Sequence, residues 1–112
     1  MKKLLIIVPI VLIILFLILQ PIGSSYDTEI ENVIEEENQY FATQGVNMEV
    51  TREETDFYVY ADGGYVEMLY NDANGDEQQI VYEEMENGDY TRHVGMPEEV
   101  ANLTNEYEEQ NR

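Results

Sequence analysis

Residues 55–94 read TDFYVYADGGYVEMLYNDANGDEQQIVYEEMENGDYTRHV, and through much of this stretch apolar and aromatic residues recur at every second position. A period of two marks a half-buried strand. The segments DFYVYAD, GYVEMLY, EQQIVYEEM and DYTRHV are rich in Tyr, Val and Ile, residues that suit a pleated surface. Between them stand Asp62-Gly63-Gly64, then Asn71 to Asp76 with its Asn74-Gly75 pair, then Glu86-Asn87-Gly88. Gly, Asn and Asp accept positive φ at low cost, so each separator suits a tight antiparallel hairpin. The pattern predicts a meander of four strands, and VNMEVTRE at 46–53 can add a short fifth strand at its edge.

Alternation also assigns faces. Val66, Met68 and Tyr70 share one, as do Ile80 and Tyr82; Tyr58 and Tyr60 repeat the spacing, with Phe57 and Val59 pointing the other way. The tyrosines at 58, 60, 65, 70, 82 and 90 invite reading as an aromatic binding platform. The plainer account is that tyrosine fits a half-buried sheet with its hydroxyl reaching water.

Upstream, Asp27 to about Thr43 reads as a helix, because Ile30, Val33, Ile34 and Phe41 fall on one stripe. Glu37 is the exception, a carboxylate on the apolar side. Thr28 and Glu31 have the spacing of a capping box, Asp27 and Glu29 complement the helix dipole, and Gly45 supplies the stop. A helix with one apolar stripe beside a meander predicts an α+β domain, one helix packed on a four- to five-stranded antiparallel sheet. After Gly95, Pro97 can open a short helix edged by Val100 and Leu103. Residues 105–112, NEYEEQNR, hold too few apolar side chains to order alone and are predicted as an acidic flexible tail, leaving 24–104 as the domain.

Residues 4–19, LLIIVPIVLIILFLIL, are uncharged and follow Lys2 and Lys3. Sixteen helical residues rise about 24 Å, and extension to Ile22 approaches the roughly 30 Å of a bilayer's hydrocarbon core. Residues 4–22 are therefore predicted to enter a membrane as a transmembrane helix, and the flanking lysines keep the N-terminus inside and the C-terminal domain outside. Residues 1–23 serve either as a retained signal-anchor or as a signal peptide. The run has no Ala or Gly and slightly exceeds the usual signal length, which favours the anchor; Gly23 and Ser25 would allow cleavage near Ser25 and secretion.

From Tyr26 onward the chain carries three arginines against 24 acidic residues, a formal charge of −21. Such a surface repels nucleic acid. Its plain reading is solubility outside the cytoplasm, its functional one attraction of a cationic partner. Without cysteine, packing alone must hold the fold, and thiol chemistry is absent. With Ser24 and Ser25 the only serines, His93 the only histidine and no lysine after Lys3, a Ser/His/Asp or Ser/Lys set could be built only from a serine at the membrane edge or a lysine across the bilayer.

Asp72, Asn74, Asp76 and Glu83 occupy the first, third, fifth and twelfth places of a calcium-binding EF loop, but Glu77 stands where glycine is needed and the flanks read as strands. A hairpin turn is the better reading. His93 has no second His or Cys to form a metal set, Asn102-Leu103-Thr104 is a formal glycosylation triplet, and carboxylate pairs are too common here to mark a glycosidase. No catalytic, cofactor-binding or metal residue is assigned, and no cofactor is implied.

The acidic helix, the hairpins FYVYADGGYVEMLY and IVYEEMENGDYTR and the tail PEEVANLTNEYEEQN together resemble the small cystatin-like-fold domain of unknown function found in Firmicutes lipoproteins and membrane-anchored proteins. The resemblance implies a helix wrapped by an antiparallel sheet on the envelope side of a membrane. It differs in having no cysteine to lipidate. Inhibitory cystatins carry a Gln-x-Val-x-Gly hairpin, and the nearest stretch, Gln79 to Glu83, lacks its glycine, so protease inhibition is not carried over. The expectation is a non-enzymatic, extracytoplasmic interaction module tethered to the cell membrane, with an envelope protein as partner; the alternative is a secreted binder or inhibitor released near Ser25.

Overall fold

The structure, a computed structural model, describes residues 26–112. The predicted membrane segment and its cleavage region lie outside the described residues. Among those described, no helix is long and apolar enough to cross a membrane.

Helix α1, Asp27–Thr43, buries Ile30, Val33, Glu37 and Phe41. Their spacing of three, four and four residues keeps them on one stripe. The expected capping box does not form, because the helix starts early: Tyr26 is the N-cap, without a side-chain cap bond, and Thr28 already lies in the first turn. At the other end Gly45, with φ of 70°, lets the Val46 N–H reach the Phe41 carbonyl at 2.9 Å and its own N–H reach Ala42 at 3.3 Å. That pair of bonds is a Schellman stop.

Four strands follow as a meander, β1 (Thr55–Tyr60), β2 (Tyr65–Asn71), β3 (Glu77–Glu84) and β4 (Tyr90–Val94). A short helix α2 (Glu98–Ala101) leads to β5 (Tyr107–Glu109). The sheet order is β4-β3-β2-β1-β5, antiparallel throughout. Two sequence expectations change here. Residues 46–53 form no strand, since Asn38 of α1 occupies both backbone groups of Val50: its Oδ1 accepts the Val50 N–H at 2.7 Å and its amide donates to the Val50 carbonyl at 3.0 Å. The fifth strand comes instead from the expected flexible tail, whose Tyr107 and Glu109 lie opposite Val59 and Phe57.

The register puts Phe57, Val59, Val66, Met68, Tyr70, Ile80 and Tyr82 on the face under α1, where they form one core with Ile30, Val33 and Phe41. Burying one such side chain stabilises the fold by roughly 1.5–3 kcal/mol before chain entropy is counted. Val81 and Tyr60 point away from α1, yet both are buried, as is Val100 of α2. The chain must cross three strands between β4 and β5, and this burial places the crossing over the face opposite α1. The tyrosines consequently divide, with Tyr70, Tyr82 and Tyr90 toward α1 and Tyr58, Tyr60 and Tyr65 on the far face. No single platform of six exists.

Candidate functional site

Helical spacing drives Glu37 into the core interface, fully buried, and strand alternation delivers its partners from three strands. Tyr82 of β3 donates its hydroxyl to Oε1 at 2.7 Å, and Tyr70 of β2 donates to Oε2. Arg92 of β4 grips both oxygens, Nε to Oε1 at 2.7 Å and Nη2 to Oε2 at 3.0 Å. The guanidinium carbon lies 3.8 Å from the centre of the Tyr40 ring, a cation–π contact. Burial pushes the Glu37 carboxyl up, but the Arg92 fork and the two hydroxyls outweigh it and hold it below the usual carboxylate range. Burial and the adjacent carboxylate push Tyr70 and Tyr82 far up. A carboxylate taking four donors has no ready acceptor site for a substrate proton. The cluster is a latch between helix and sheet.

The other two arginines are committed in the same way. Arg52 donates to both oxygens of Glu109 at 2.8 Å, to Asp27 at 2.7 Å and to Glu31 at 3.1 Å, tying α1 to β5. Arg112 meets Asp56 at 2.9 Å and Glu77 at 3.0 Å. Arg52 holds the Glu109 carboxyl down at about 2, against an ordinary 4.5. A carboxyl depressed in the folded state contributes stability that is complete above its unfolded pKa and disappears as pH falls through the folded one. In about 0.5 M NaCl, where surface repulsion is screened, the urea midpoint is expected to drop as pH falls from about 4.5 toward about 2. A midpoint constant across that window contradicts the assignment.

The EF-like residues form a hairpin turn. Asp72 Oδ1 accepts the N–H groups of Asn74 and Asp76 at 2.9 and 3.0 Å, and Oδ2 accepts the Gln78 amide at 3.0 Å. Glu83 lies away on β3 and meets His93 Nε2 at 3.0 Å. Among the described residues, no group of three or more His, Cys, Asp or Glu converges as a metal site. Asp72→Asn keeps an acceptor and is expected to leave stability within about 0.5 kcal/mol, whereas Asp72→Ala costs about 1 kcal/mol. Urea unfolding of both variants checks this. Asn102 is exposed at the end of α2.

Glu67, on the far face and 5 % exposed, accepts the Tyr60 hydroxyl at 3.0 Å and the Gln79 amide at 2.6 Å. Burial and this carboxylate push Tyr60 up to about 12. Periodicity flagged Glu37 through its misfit to the apolar stripe; nothing local flagged Arg92, Arg52 or Asp56. No family model, curated protein or solved structure matches this chain.

Proposed function

We propose that the chain is a non-enzymatic interaction module, held on the outer face of a cell membrane by residues 4–22, which docks an envelope protein through complementary positive charge. The observation that carries the reading is the fate of the cations. All three arginines from Tyr26 onward are engaged in ion pairs within the fold, so what the domain offers outward is carboxylate. The saturation of Glu37 and the engagement of His93 by Glu83 support a role without catalysis. One helix laid on an antiparallel sheet is the layer arrangement that the cystatin-like resemblance implies.

Intact mass with membrane fractionation in a Gram-positive host tests the tether. Full-length mass in the membrane fraction is expected. A mass beginning at Tyr26 in the medium replaces the tether with the second reading, a secreted binder, which Gly23-Ser24-Ser25 favours. Cross-linking on intact cells then tests the partner, and recovery of nonspecific neighbours alone counts against docking.

A further inference from the structure

We propose that the outer edge of β4 is the docking line of this module and that its occupant is an extended, lysine- or arginine-bearing segment of another protein, added as a sixth strand. This rests on the interaction-module reading and gives that reading a partner chemistry and a place. The ladder geometry carries it. The Gly95 N–H bonds to the Gln79 carbonyl at 2.9 Å and the Met85 N–H to the Asp89 carbonyl at 2.7 Å. Hydrogen-bonded pairs alternate in an antiparallel ladder, so Thr91 and His93 turn their backbone groups toward β3. Tyr90, Arg92 and Val94 therefore turn theirs outward. Among the described residues no strand takes them, and Val94 is 78 % exposed.

The two sheet edges differ. On β5, only three residues long, the Tyr107 ring lies tilted against that of Tyr26, centroids 5.8 Å apart, and Glu109 is clamped by Arg52. The five-residue β4 edge borders a groove of about 240 Å³ whose walls include Glu36, Gln39, Tyr40, Tyr82, Tyr90 and Arg92. Arg92 already holds the Tyr40 face and is neutralised by Glu37, so a strand added there turns every second side chain toward Glu36 and the half-buried Tyr90, a setting that attracts ammonium and guanidinium groups. Glu84, Glu86 and Asp89 line the hairpin at one end of the edge. A second copy of this chain is the wrong occupant, because two domains each at −21 repel.

The test uses the full chain in non-ionic micelles, with an acetylated, amidated (Lys-Val)₄ peptide as probe and (Lys-Pro)₄ as a control of equal charge that lacks the alternate backbone donors. The Lys-Val peptide is expected to bind about tenfold tighter and to slow amide exchange at Tyr90, Arg92 and Val94 by a similar factor. Val94→Pro removes an outward donor while sparing the β3–β4 ladder, so it should melt like the parent and bind the Lys-Val peptide about tenfold more weakly. Equal binding of both peptides without protection of those amides overturns the edge and leaves charge-driven docking standing. Failure of both peptides to bind overturns the edge and the cationic partner together.

Discussion

Arg92→Met should lower stability by about 3–5 kcal/mol, because it strands the Glu37 carboxylate in the core without its cation. Glu37 is 0 % exposed, and the hydroxyls of Tyr70 and Tyr82 would remain its donors. For a domain of this size each kcal/mol moves the melting temperature by roughly 4–8 °C, so the fall should exceed about 12 °C. Glu37→Gln should cost less, about 1–2 kcal/mol, since an amide oxygen still accepts and Arg92, 19 % exposed at its side chain, can turn toward water. The double variant should lie well short of the sum, as the second change removes the charge the first left buried. Urea denaturation of the four proteins measures the cycle. Additive losses would show that Glu37 and Arg92 are not a coupled pair.

Ending the chain after Thr104 should cost about 3 kcal/mol or more, where loss of a flexible tail would cost nothing. The truncation removes β5 and, among the described residues, every hydrogen-bond partner of the Asp56 carboxylate: the Asn111 N–H at 2.8 Å, the Arg112 N–H at 3.0 Å and the Arg112 guanidinium at 2.9 Å. Asp56 is only 8 % exposed, so its charge is left poorly compensated. Arg52 loses Glu109 but keeps Asp27 and Glu31. Asp56→Asn in the shortened chain should restore part of the loss, since a neutral amide is less costly to bury. Truncation also opens the backbone edge of β1 around Phe57 and Val59, and in about 0.5 M NaCl, where repulsion between the acidic domains is screened, the shortened protein should self-associate more than the full chain. Denaturation midpoints and sedimentation of both forms decide the matter, and unchanged midpoints would return residues 105–112 to the status of a tail.

Much of the architecture was legible because helix and strand signals are local. Ile30, Val33 and Phe41 lie within a few helical turns of one another, and the hairpins at Asp62, Asn74 and Asn87 are written in adjacent turn residues. The misreadings fall where a distant side chain overrides a local pattern. Val-Asn-Met-Glu-Val has the alternation of a strand, yet Asn38 claims the backbone of Val50 from twelve residues away. Glu106 to Arg112 has the composition of a solvated tail, yet its polar groups find Arg52 and Asp56 across the fold. The EF-like spacing at Asp72 matched in residue type, but the turn's own N–H groups claim the carboxylate.

Periodicity, turn residues and residue inventory were enough to read one helix before an antiparallel meander, an acidic surface and a scarcity of nucleophile and base side chains. Which of the 24 carboxylates meet the three arginines followed only from the closed fold. Arg92 finds Glu37 across 55 residues, Arg52 finds Glu109 across 57 and Arg112 finds Asp56 across 56. Charge attraction carries no address along the chain. Its partners are set by where strand alternation and helical pitch bring side chains once the apolar core has closed.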